Sequence, residues 1–174
     1  GTSFPVGKVE FLDLYPLSFR EFLLANGEEM LVNYVLNDGH RDLTVFADKL
    51  TDYLKRYFVI GGMPSAVLKW LETHDYLEVD DVQKQLVAAY VNDFSKHAPR
   101  QMVEKIRYVW DCIPSQLAKE NKKFIYGLVR EGARAREYED SLMWLTDAGE
   151  IIRTYNVSKP DVPLKAYANL KSFK

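Results

Sequence analysis

The sequence predicts a mainly α-helical fold with a small β component, organised as a helical segment followed by a winged helix-turn-helix. Three observations carry that expectation. Apolar residues recur at helical spacing in one stretch after another, as in Leu43, Phe46, Leu50, Tyr53, Leu54 and Tyr57. Residues 132–156 read as a basic turn, a short helix carrying Tyr138, Leu142, Leu145 and Ala148, a stop at Gly149 and then a strand. Finally, the turn-rich Ser158-Lys159-Pro160-Asp161-Val162-Pro163 separates two strand-like runs, as a hairpin requires.

In chain order, Val6 to Leu14 alternates Val9, Phe11 and Leu14 with polar residues and predicts one strand ended by Pro16. Ser18 and Glu21 have capping-box spacing for a helix that stops near Asn26-Gly27. Glu28–Leu36 predicts a second helix closed by Asn37-Asp38-Gly39, and Asp42–Tyr57 a third. Gly61-Gly62-Met63-Pro64 then makes a sharp turn, with Pro64 opening a helix over about 65–72 because its missing N–H costs nothing there. Val79–His97 is a long helix with Val82, Leu86, Ala89, Tyr90 and Phe94 on one face. Met102–Ala118 is helical, broken or restarted at Pro114, and Phe124–Val129 reads as a short strand. The helix of 138–148 follows, then strands over Ile151–Val157 and Leu164–Ala168, giving a winged helix over about 101–170.

Composition narrows the function. Among 174 residues, 47% are hydrophobic, enough to build a core as one domain or two small ones. The single Cys112 rules out an intrachain disulfide framework, suits the cytoplasm and reads as buried packing. The net charge of −2 hides an asymmetry: residues 1–100 hold 10 Lys and Arg against 15 Asp and Glu, residues 101–174 hold 13 against 10. A mildly basic second half permits contact with phosphate without demanding it. Sequence patterning gives no membrane partner. The abrupt start after Gly1, which reads as a tag remnant, and the end at Ser172-Phe173-Lys174 predict a piece of something longer.

Several stretches together carry a resemblance: SFPVGKVEFLDLYPLSFREFL (3–23), YFVIGGMPSAV (57–67), IPSQLAKENKKFIY (113–126), GARAREYEDSLMWLTDAG (132–149) and PLKAY (163–167). In this order they resemble the prokaryotic AAA-type P-loop ATPases that carry a C-terminal domain of unknown function. The resemblance implies three segments: 1–57 as the end of the ATPase core, 58–100 as a helical lid and 101–174 as the winged-helix domain. It implies an upstream ATPase core and a downstream endonuclease-like domain as partners in the parent protein, with ATP and magnesium bound there. The chain itself has no G-x-x-x-x-G-K-[ST] and no hydrophobic strand ending in paired acids, so it is expected to be non-catalytic and to bind no cofactor alone. From related ATPases the resemblance also implies that Gly62 and Pro64 contact adenine in the parent. The competing reading of those two residues is an ordinary helix start.

The candidate nucleic-acid residues are Lys119, Lys122, Lys123, Arg130, Arg134 and Arg136, clustered around the turn and the start of the recognition helix. Against DNA stand the interleaved Glu120, Glu131, Glu137, Glu139 and Asp140, which repel phosphate. The alternative is therefore a protein-interaction module whose winged helix never touches DNA. Asp93 and His97 are too few for a metal site, and the helix dipole accounts for His97. Trp70, Trp110 and Trp144 read as core, and Lys8 and Arg20 as surface cations.

Overall fold

Short-range chemistry sets the first turns of this chain, and a computed structural model describes residues 7, 9–10, 12, 14–37, 46–121 and 123–174. The expected strand over 6–14 lies mostly outside the described residues, and the described ones among it form no strand. Seven α-helices follow among the described residues: α1 Phe19–Ala25, α2 Glu29–Asn37, α3 Ala47–Ile60, α4 Pro64–Thr73, α5 Tyr76–His97, α6 Val103–Leu117 and α7 Ala135–Asp147. Two short strands, β1 Tyr155–Val157 and β2 Ala168–Phe173, complete a mainly helical fold with a small antiparallel β component.

The chain divides into two compact units, residues 1–87 and 88–174, with the division inside α5. In the first unit, α1 starts with the predicted capping box: the Glu21 backbone N–H donates to Ser18 Oγ, and the Ser18 backbone N–H donates to Glu21 Oε2 at 2.8 Å. These bonds hold the Glu21 carboxyl below its ordinary pKa, the backbone bond contributing most. Phe22, Ile60, Ala66, Val67, Trp70 and Val79 form the core, with Tyr57 packed between Phe19 and Phe22. Full burial of Phe22 contributes about 2–3 kcal/mol. Helix α3 runs three residues past its expected end and stops at Gly61, whose φ of 74° favours glycine. Gln83 donates to the free carbonyls of Val59 and Ile60, both at 2.9 Å, which satisfies two acceptors at that end.

In the second unit, Phe94, Ala98, Ile106, Val109, Tyr138, Leu142, Leu145 and Phe173 form the core. Phe94 meets Trp110 and Trp144 edge-on at 5.2 and 5.8 Å, so both indoles serve packing. Cys112 is buried, its thiol pKa pushed up by that burial. Three sequence expectations change here. Helix α6 continues through Pro114 instead of breaking. Packing of its buried face, Ile106, Val109, Cys112 and Gln116, offsets the one backbone bond that proline cannot donate. Residues 126–128 form a 3₁₀ turn rather than a strand, although the Phe124 N–H donates to Phe173 O at 2.9 Å along the sheet edge. Leu164–Tyr167 is likewise a 3₁₀ turn, and the second strand starts only at Ala168.

The register is Tyr155 opposite Phe173 and Val157 opposite Ala168, with an irregularity between them. Thr154 and Lys174 extend the pairing by exchanging two backbone bonds of 2.9 Å. Helix, turn, helix and hairpin thus follow in an order compatible with a winged helix. No helix among the described residues is long and apolar enough to cross a membrane.

Candidate nucleic-acid interface

Helix α7 begins where Arg134 leaves extended backbone, and its backbone N–H donates to Glu137 Oε2 at 2.9 Å. Glu137 therefore satisfies one of the orphan donors of the helix start, a position where a carboxylate also meets the positive end of the helix dipole. One turn on, Glu139 accepts from the Tyr126 hydroxyl and from Arg153 Nη1, the latter at 3.0 Å. Burial, then the bond to Glu139, pushes the Tyr126 hydroxyl pKa well above its ordinary value. Arg153 also lies over the Phe173 ring at 5.7 Å. Tyr126, Glu139 and Arg153 thus tie the 3₁₀ turn, α7 and the segment entering β1 into one polar link. Two of the five acids that argue against phosphate binding have internal duties, while Glu120, Glu131 and Asp140 stay exposed.

The basic residues do not gather into one patch. Lys119 and Lys123 are exposed just past the C-terminal end of α6, and Lys122 lies outside the described residues. Arg130 sits instead near the start of α6, its guanidinium over the Tyr108 ring at 5.7 Å. It lines a shallow depression with Lys105, Glu131, Gly132, Ala133, Glu137 and Tyr138. Helical rise puts Lys105 and the end of α6 about 18 Å apart. Arg134 and Arg136, both exposed at the opening of α7, flank the Arg130 end. Lys105 was missed because, on α6, it lies 25 residues before Arg130 and no local charge run includes it.

The Gly62–Pro64 turn belongs to the first unit. Gly62 is buried, and a Cβ there would stand 2.2 Å from the carbonyl oxygen of Leu17. The Leu17 N–H donates to Gly62 O at 2.7 Å, and the Tyr57 hydroxyl to Leu17 O at 2.6 Å. Glycine is needed here so that two backbones can touch. The missing side chain's space is taken by Leu17, while Pro64 starts α4 and remains exposed. Asp93 and His97 contact each other at 3.3 Å, and no group of metal-ligating side chains occurs among the described residues. Arg20 is exposed, and Lys8 lies outside the described residues.

A family model for a domain of unknown function, DUF8612, matches residues 51–174, most of the chain. The chain belongs to the DUF8612 family. That family's description states no activity, and its match spans α4 and all of the second unit, including every candidate basic residue. No curated protein and no solved structure matches the chain.

Proposed function

We propose that this chain is a non-catalytic module whose second unit presents the start of α7 to a nucleic-acid backbone. The observation that supports this reading is the internal engagement of Glu137 and Glu139, beside exposed Arg130, Arg134 and Arg136. Phosphate contacts from such residues position a duplex without reading its sequence. In a parent ATPase, the resemblance of 3–23 and 57–67 extends the proposal: the first unit closes with the nucleotide state, and the second passes it on. ATP and magnesium would then be held by the upstream core, with the exposed Pro64 ring the part of this turn left to cover a base.

Fluorescence anisotropy on a short duplex tests the proposal across about 25–150 mM salt. The wild-type chain is expected to bind weakly, with Arg134→Ala and Arg136→Ala each lowering the salt slope by about one unit. Lys119→Ala, at the far end of α6, is expected to leave that slope unchanged. Absence of binding at the lowest salt would rule out the nucleic-acid reading. A protein partner is then favoured, supported by the exposed apolar Val162, Leu164 and Leu170 around the wing, exposed by 88%, 56% and 67%.

A further inference from the structure

A cavity of about 220 Å³ opens within the second unit, walled by the end of α6, by Leu142 of α7 and by residues around the sheet. Its apolar lining includes Ile113, Leu117, Phe124, Leu142, Ile151 and Phe173. A dry apolar cavity of this order accepts a molecule the size of one aromatic ring. Four polar residues, Gln116, Glu150, Arg153 and Lys174, break its apolar character, and Gln116 is already engaged, its Oε1 accepting from the Ile125 N–H at 2.6 Å and its Nε2 donating to Cys112 Sγ at 3.3 Å. Glu150 lines the cavity and makes no ion pair or side-chain hydrogen bond among the described residues, and burial, then the nearby Asp93 carboxylate, raises its carboxyl pKa. Arg153 also lines it; among the described residues its Nη1 donates to Glu139, while its Nε is buried without a partner. Unsatisfied donors and acceptors at one apolar wall are what a polar small-molecule head group would complete. The positive charges of Arg153 and Lys174 balance the negative charges of Glu139 and Glu150, so a neutral head group fits better than an ion.

We infer that this cavity is a binding site for a small apolar molecule bearing a carboxamide. The ring or branched body fills the space between Ile113, Leu117 and Phe124, the amide oxygen accepts from Arg153, and the amide N–H donates to Glu150. The inference does not depend on the nucleic-acid reading, because the basic residues Arg130, Arg134 and Arg136 do not line the cavity.

Benzamide is the probe, with toluene and benzoate as comparators, and methyl and Arg Nε–H NMR shifts of the whole chain as the readout. Benzamide is expected to shift Ile113, Leu117, Leu142 and Arg153 resonances in a saturable way. Toluene, lacking the head group, and benzoate, repelled by Glu150, are expected to bind at least about tenfold more weakly. Arg153→Lys should lower benzamide affinity by about tenfold with little change for toluene. Leu117→Trp, which fills the mouth from a half-exposed position, should abolish both and guards against an unfolded Arg153 variant. Toluene binding as tightly as benzamide would overturn the head-group assignment. No saturable shift with any of the three, or shifts that survive Leu117→Trp, would overturn the site.

Discussion

Gly62 shows how one residue's role can be legible in kind while the neighbour it serves is not. The sequence marks a glycine in a sharp, close-packed turn. The close neighbour is the Leu17 backbone, 45 positions earlier. Local patterning carries no information about which distant chain fills a missing side chain. Gly62→Ala is expected to destabilise the first unit by about 2 kcal/mol or more, since backbone atoms cannot move aside as a flexible side chain would. Pro64→Ala, at an exposed helix start, should change stability by less than about 1 kcal/mol. Thermal denaturation of both variants decides the matter, and a neutral Gly62→Ala would refute the packing account.

At the scale of elements, helices were the most legible part because each carries its own periodicity and caps. The Ser18–Glu21 box, the Pro64 start and the Gly149 stop, with φ of 77°, all stand as read. Strands were less legible, since β pairing is decided by a partner distant in sequence. Ala168–Phe173 pairs with Tyr155–Val157, whereas the expected second strand was Leu164–Ala168. The Tyr126–Glu139–Arg153 link is invisible in sequence for the same reason. Glu139→Gln removes the charge that holds Arg153, whose side chain is only 16% exposed, and should cost about 1–3 kcal/mol in chemical denaturation. It should also lower the pH at which Tyr126 ionises in an ultraviolet absorbance titration. Because the folded pKa of Tyr126 is raised, its contribution to stability is complete below about pH 10 and falls as pH rises toward the folded value. That alkaline loss should be smaller in Glu139→Gln, and an unchanged titration would break the assignment.

At the scale of the whole molecule, the division falls within one helix, because α5 supplies Val79 to the first core and Phe94 to the second. Phe22→Ala and Leu145→Ala each empty a fully buried position and should cost about 3–5 and 2–5 kcal/mol. Hydrogen exchange should report the lost protection mainly in residues before 88 for the first variant and after it for the second. Equal loss throughout would mean that the two cores unfold as one. The sequence by itself determined most of the helices, the Ser18–Glu21 cap, the glycine stop at 149, the burial of Cys112 and the packing of the tryptophans in the cores. Those properties follow from period, backbone freedom and hydrophobicity, which act within a few residues. Only the tertiary structure decided that Lys105 joins Arg130 while Lys119 stands at the other end of α6, and that Glu139 meets Tyr126 and Arg153. The same holds for Gly62 serving Leu17 and for the cavity beside Arg153. Each of these depends on which remote segments meet, and the packing of the cores fixes that.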